Sequence, residues 1–311
     1  MYFIHYALTF VTMNAKWGLD LGGTKIEGVV LNAEDPTDVL CRIRIPTEQQ
    51  GGYDHIVQQV NRLVQEMKAI TKLTPVKIGM GTPGTTDPTS GLLKNSNTVV
   101  LNGKPLQQSL IEAVGCEFVM SNDANCFAMA ETHLGAVKQL GYMPEVVIGL
   151  ILGTGAGSGI VVNGKVINGI HGIGGEWGHN ELIEDGYPCY CGKKGCVETV
   201  LAGPALERHY SQLTGETKAL KDIVARTEED PAAQQTIDHL LKYFGKGIST
   251  LINVLDPEVI VIGGGVGNIA QLYEKGREAA LPYVFNPEVR TQIIPPQLGD
   301  SAGVFGAAML T

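Results

Sequence analysis

The sequence predicts an α/β fold divided into two domains, on three observations. Strand-like and helix-like segments alternate along most of the chain. A strand, a Gly/Thr turn and a second strand occur twice, in KWGLDLGGTKIEGVVLN (16–32) and in EVVIGLILGTGAGSGIVVNGKVI (145–167). The chain has 311 residues, and at roughly 150 residues per domain that leaves room for two cores. The two strand–turn–strand copies lie about half a chain apart, which suggests a duplicated architecture with a nucleotide between the halves. No linker of disordered composition separates them. The expected boundary is near residue 133, with 13–133 plus 300–311 in a smaller domain and 134–299 in a larger one.

The remaining elements follow in order. YDHIVQQVNRLVQEMKAI (53–70) carries Ile56, Val60, Leu63, Val64 and Met67 at helical spacing. PVKIGMG (75–81) is a short strand, and GTPGTTDPTSGLLKNSNTVVLNGKPL after it reads as a long loop. EFVMSNDANCFAMAETHLGA is a strand running into a helix, which Asn122 or Asp123 is placed to cap. Residues 203–255 are mostly helical. DPEVIVIGGGVGN (256–268) is a buried strand ending in glycines, and a short apolar helix follows Gly303.

Composition narrows the function classes. Hydrophobic residues at 44% and charged residues at 18% are ordinary for a soluble globular protein. The net charge of −9 and the lack of a basic tract argue against non-specific nucleic-acid binding. No stretch reaches about 18 apolar residues, so no membrane span is expected. MYFIHYALTFVT lacks a basic n-region and a small-residue cleavage site, so it does not read as a signal peptide. A cytoplasmic location and a natural start at Met13 are expected. The 40 glycines cluster beside apolar runs, the pattern of backbone approaching a ligand.

Two motif matches fail on context. GMGTPG (79–84) has the spacing of a dinucleotide fingerprint, but Pro83 and TTDPTSG forbid the helix that motif must open. GIVVNGKV (159–166) ends in Val166 where a phosphate-binding loop needs Ser or Thr.

Three glycine turns carry more weight. In DLGGTK, Gly22 and Gly23 let backbone N–H groups approach phosphate oxygens, Thr24 adds a hydroxyl and Lys25 a positive charge. Asp20 is placed to orient hydrated Mg²⁺. LGTGAGSG repeats the device with Gly153, Thr154 and Gly155. Gly263, Gly264 and Gly265 at a strand end would let a purine or ribose pack on bare backbone. Taken singly, each also reads as a plain tight turn.

His179, Cys189, Cys191 and Cys196 offer one nitrogen and three sulfurs. That is the closed ligand set of a structural zinc site; a catalytic zinc keeps an open position. Redox chemistry would favour C-x-x-C, which is absent. Reduced thiols without metal are the alternative. Cys41, Cys116 and Cys126 are expected as buried free thiols.

DLGGTK, LGTGAGSG, GGEWGH, CYCGKKGC and VIVIGGG, in this order, resemble the ROK family of sugar kinases over nearly the whole chain from Ala15. KNSNTVVLNGKPL, GGEWGHNEL and CYCGKKGCVET are most similar to bacterial manno(fructo)kinases; GLILGTG and NDANCFAMAE are also similar to N-acetylglucosamine kinases. The resemblance implies an actin-like, ribonuclease H-like ATPase fold with two domains around an ATP cleft, and a homodimer. On its residues alone Asp123 reads as a helix cap, whereas the resemblance makes it the catalytic base. It gives Asn122, Glu176 and Glu198 to sugar binding, with Gly84, Asn97 and His179 as further candidates, and leaves His171 structural. Zinc is the implied scaffold ion and magnesium the catalytic one. The implied activity is ATP-dependent phosphorylation of a hexose 6-hydroxyl, on fructose or mannose first, then glucose, then N-acetylglucosamine. A sugar-responsive transcriptional regulator of the same family would carry an N-terminal helix-turn-helix, for which about a dozen residues leave no room. Intact DLGGTK and Asp123 argue against a catalytically silent sugar-binding protein.

Overall fold

A computed structural model describes residues 14–311; the expected start at Met13 lies outside the described residues. The first half runs β1 (Ala15–Leu21), β2 (Lys25–Asn32), β3 (Val39–Pro46), α1 (Tyr53–Thr71), β4 (Lys77–Thr82), β5 (Thr85–Thr86), β6 (Leu93–Lys94), α2 (Leu106–Val114), β7 (Glu117–Asn122) and α3 (Asp123–His133). The second runs β8 (Val146–Leu152), β9 (Ala156–Val162), β10 (Lys165–Val166), α4 (Glu198–Leu201), α5 (Gly203–Thr214), α6 (Leu220–Val224), α7 (Pro231–Leu255), β11 (Val259–Gly263), α8 (Gln271–Ala280), β12 (Gln292–Ile294) and α9 (Ala302–Ala308).

The duplication seen in the sequence is topological. One sheet has the order β3-β2-β1-β4-β7 and the other β10-β9-β8-β11-β12. Each is an antiparallel three-strand meander extended by two parallel strands. This is the two-domain, actin-like arrangement that the resemblance implies.

The halves exchange helices. α3 leaves β7 of the first sheet and packs on β8 and β9 of the second, while α9 follows β12 and packs on β1 and β4 of the first. Small residues allow both crossings. A methyl group on Gly18 or Gly79 would overlap the α9 backbone, and one on Gly149 or Gly159 would overlap α3 near Ala128 and Ala124. Residues 124–132 of α3 are all buried, as expected for a helix covered on every side.

Each sheet has its own core on the other face. α1 buries Ile56, Val60, Leu63, Val64 and Met67 against Trp17, Leu19 and Leu21, the stripe its spacing predicts. α7 buries Ile237, Leu240, Phe244 and Ile248 against Ile148, Leu150, Ile260 and Ile262. The segment expected as one long loop is more ordered than that. β5 and β6 form a short hairpin within it. The Asn102 side chain then clamps Ser96, accepting from its N–H and donating to its carbonyl, each at 2.9 Å. Amide side chains can replace strand pairing in this way, and no apolar periodicity marks it.

Candidate active site and metal centre

The junction of β7 and α3 settles which residue is the cap. Asn122 Oδ1 accepts a hydrogen bond from Asn125 N–H at 2.7 Å, so Asn122 is the N-cap. Asp123 becomes the first helical residue, and its Oδ1 accepts from Ala124 N–H at 2.8 Å. Asp123 is exposed to water as a residue, while its carboxyl group is surrounded by protein atoms. That burial raises its pKa, against backbone hydrogen bonds that lower it.

Asp20 lies opposite Glu27 across β1 and β2 and opposite Gly81 across β1 and β4. Its carboxylate is close to Gly81 and Gly303, where an added methyl would come within 3.1 and 3.0 Å of its oxygens. Burial, then the charges of Asp123 and Glu27, push its pKa from 3.8 up to about 6. Glu27 goes the other way. It is buried, which raises it, but Arg44 and Arg42, each at 2.7 Å, together hold it low.

The turn after Asp20 is braced from β3. Thr47 Oγ1 donates to Gly22 O at 2.6 Å, and Thr47 N–H donates to Thr24 O at 3.0 Å. Gly22 N–H donates to Lys25 O at 2.9 Å. Gly23 faces Thr98 of the 95–98 segment. The second turn closes through Gly153 N–H to Gly155 O at 2.9 Å. The structure brings the third glycine element beside it. Gly264, at φ 82, passes so close to the Leu152 carbonyl that a Cβ would overlap it, so the position needs glycine twice over. A methyl on Gly153 or Gly265 meets nothing within 4 Å. The backbone is open there, as a nucleotide-binding surface requires.

The four predicted metal ligands converge. Their donor atoms lie within 4.8 Å of one another. Cys191 Sγ and Cys196 Sγ are 3.7 Å apart, and Cys189 Sγ is 3.5 Å from His179 Nδ1. A zinc tetrahedron with Zn–S about 2.3 Å and Zn–N about 2.0 Å has edges of about 3.8 and 3.5 Å. The donor set fits, and the sulfurs are too far apart for a disulfide, which needs about 2.05 Å. Gly195, at φ 67, turns the loop where a side chain would strike the Ile183 carbonyl. Trp177 Nε1 donates to Gly247 O at 3.1 Å and Lys246 Nζ to Leu182 O at 2.8 Å, tying this segment to α7.

A cavity of about 1330 Å³ opens beside the metal set. It exceeds the roughly 300–1,000 Å³ of an ordinary small-molecule site. Of the predicted residues, Asn97, Thr154, Gly155, Glu176, His179, Cys191 and Glu198 line it. Glu198 Oε2 accepts from Ala156 N–H at 3.0 Å, so this acid sits at the second glycine turn. Burial raises the pKa of Glu176; His179 opposes this, and Asp123 and Glu198 add to it. Asp123 is therefore within electrostatic reach of Glu176 without lining the cavity. Asn122, the DLGGTK turn and Gly263–Gly265 also lie off its walls. Gly84 does not line it either; it packs under the backbone of Lys94–Ser96 and supports the segment that carries Asn97.

The cavity includes residues that local reading missed. Tyr190 and Lys193 come from the metal loop, and Thr250 and Val254 from the end of α7. An aromatic residue between two metal ligands was a usable signal for Tyr190. The α7 residues had none, because only the tertiary fold brings them there.

Nearly the whole chain matches known proteins. Residues 16–311 match the ROK family. The N-acetyl-D-glucosamine kinase of Histophilus somni (strain 129Pt) is 35% identical over 308 residues, covering 94% of this chain and 98% of its own. The ROK hexokinase from Thermus thermophilus superposes with a TM-score of 0.85 at 32% identity, covering 96% of this chain and 98% of its own. A ROK family glucokinase from Streptomyces griseus, solved in complex with glucose and AMPPNP, has a TM-score of 0.74 at 28% identity, covering 96% and 99%. With its motifs in place on this fold and matches spanning both halves, the chain belongs to the ROK family.

Proposed function

We propose that the chain is an ATP-dependent sugar kinase that phosphorylates the 6-hydroxyl of a hexose, with N-acetyl-D-glucosamine as substrate ahead of fructose, mannose and glucose. The position of Asp123 carries the reading. Asn122 relieves it of capping, burial raises its proton affinity, and it stands within reach of Glu176. The order of sugars rests on the relatives, which favour N-acetylglucosamine over the fructose or mannose preference drawn from the loop motifs.

In this reading Asp123 accepts the hydroxyl proton as the sugar oxygen attacks the γ-phosphorus. Glu176 and Glu198 take hydrogen bonds from sugar hydroxyls and hold the 6-hydroxyl in line. Asn122 has committed its oxygen to Asn125, so its amide N–H groups are left to donate. The open backbone at Gly153 and Gly265, with Thr24 and Lys25 of the first glycine turn, suits the nucleotide. Asp20, whose charge is disfavoured beside Asp123, would hold magnesium through water. That ion supplies charge neutralisation at the phosphates. Zinc would pin the segment between Glu176 and Glu198. We also infer a homodimer, which sedimentation velocity would check. We infer the same division into units, 13–133 plus 300–311 and 134–299, of which residue 13 lies outside the described residues.

ADP release with a panel of hexoses tests the reading. Turnover is expected on N-acetylglucosamine with kcat/KM about tenfold or more above fructose. No turnover on any hexose overturns it. Asp123→Asn is expected to lower kcat by about 10³-fold with sugar binding still measurable by calorimetry; retained turnover removes Asp123 from its role.

A further inference from the structure

The metal loop projects an aromatic side chain that the kinase reading leaves without a task. Tyr190 lies between Cys189 and Cys191, is 80% exposed, and stands on the cavity wall. Its ring meets the His179 imidazole edge to face, with centroids 5.2 Å apart and planes at 86°. Its hydroxyl is 3.0 Å from His179 Nε2. The other nitrogen, Nδ1, faces the Cys189 sulfur at 3.5 Å. A neutral imidazole that binds metal through Nδ1 carries its proton on Nε2. His179 then donates to the phenol oxygen, and the phenol hydrogen turns away from His179. Tyr190 thus offers the cavity a hydrogen-bond donor at the edge of an apolar ring. A group with an acceptor oxygen next to a small apolar patch matches that surface.

The residues connect pairwise. Asp123 is close enough for its charge to act on Glu176. The Glu176 carboxylate lies 3.9 Å from His179 Nε2, and that nitrogen faces Tyr190. With a 6-hydroxyl at Asp123 and the ring in the cavity that Glu176, His179 and Tyr190 line, the edge of a pyranose away from C6 is the one left to meet Tyr190. C6 hangs on C5, and C2 stands across the ring from C5. Building on the kinase reading, we propose that Tyr190 determines specificity at C2, its hydroxyl donating to the carbonyl oxygen of a 2-acetamido group and its ring covering the acetamido methyl.

Tyr190→Phe keeps the ring and removes the donor. In titration calorimetry on the metal-loaded protein, N-acetylglucosamine binding is expected to weaken about tenfold, the cost of leaving the acetamido oxygen unpaired. Glucose binding is expected to stay within about twofold, and metal content to match wild type. Tyr190→Ala also removes the ring, and the loss is expected to grow to roughly 30-fold or more for the acetamido sugar alone. Equal weakening for both sugars, or none for either, overturns the assignment. So does loss of metal from Tyr190→Phe, which would make Tyr190 part of the metal site. A wild-type chain that phosphorylates glucose but does not bind N-acetylglucosamine overturns the C2 proposal and leaves the kinase reading standing. A chain that phosphorylates no hexose refutes both.

Discussion

The hairpins β1–β2 and β8–β9 occupy the same place in the two sheets and differ in what they carry. GLDLGG (18–23) and GLILGT (149–154) match at Gly18 and Gly149, Leu19 and Leu150, Leu21 and Leu152, and Gly22 and Gly153. Both glycine–leucine pairs do the same work, since each glycine accepts a crossing helix and each leucine enters the core below. The contrast falls at the next position. Asp20 stands in the first hairpin where Ile151 stands in the second. Across the strand, Asp20 faces Glu27, whereas Ile151 faces Gly157. The first turn is also one residue longer, because Leu21 pairs with Ile26 while Leu152 pairs with Ala156. The first half thus builds ionisable groups into its strands. The β8–β9 hairpin holds no ionisable residue, and its carboxylate, Glu198, comes from α4 at the end of the metal loop. A duplicated scaffold has divided its tasks: an arginine pair supports the charge on one side, and the loop of the Cys₃His set carries it on the other.

The largest effect should come from the position where the hairpins differ most. Asp20→Asn is expected to lower turnover by about 10³-fold, as loss of a group that stabilises transferring phosphate charge does. Ile151→Val, at the matching position, is expected to cost about 1 kcal/mol of stability and to leave ADP release within about twofold. Comparable activity losses in both variants would erase the contrast. Next in size is the imported acid. Cys191→Ser is expected to lose metal and to raise the sugar KM by about 10–100-fold, because the segment bearing Glu198 is no longer held. Metal analysis and ADP release on the same preparation check it. Full sugar affinity in a metal-free variant would break the coupling. Smaller again is Gly264→Ala, whose Cβ would strike the Leu152 carbonyl. A cost of roughly 2 kcal/mol and an ATP KM raised several-fold are expected, with the sugar KM unchanged.

Much of this contrast was legible in the sequence, and the part that was not has a physical reason. The two strand–turn–strand copies, the α1 stripe and the Cys₃His spacing are local patterns, and each fixes a local structure. The identity of the α3 cap was ambiguous because Asn122 and Asp123 are both good caps; only the hydrogen bond to Asn125 N–H decides it. The helix exchange was hidden. Gly18, Gly79, Gly149 and Gly159 read as strand glycines, and nothing local says which helix touches them. The crowding of Asp20 was hidden for the same reason, since Gly81 and Gly303 reach it from β4 and α9.

The smallest expected effect isolates that crowding, and its sign is opposite to the loss of activity. The folded chain holds the Asp20 proton more tightly than the unfolded chain does, with the pKa raised from 3.8 to about 6. Between those values the native state carries more protons than the unfolded one, so this group adds stability as pH falls from about 6 toward 4. Above pH 6 the ionised carboxylate is a net cost to the fold. A shift of this size corresponds to at most roughly 3 kcal/mol, and partial access to water reduces it to about 1–2. Asp20→Asn removes the cost. Without ligand at pH 7.5, its Tm is expected to rise by roughly 2–6 °C over wild type, with the difference fading near pH 4.5. Magnesium with nucleotide should close the gap from the wild-type side, because a cation beside Asp20 stabilises the charge that the empty fold resists. Ile151 carries no such penalty, so Ile151→Val should show the same Tm deficit at both pH values. Thermal scans of the three proteins at two pH values decide it. A lower Tm for Asp20→Asn at pH 7.5 would mean that Arg44 and Lys25 already compensate the acid, and that the first hairpin is no more strained by its chemistry than the second.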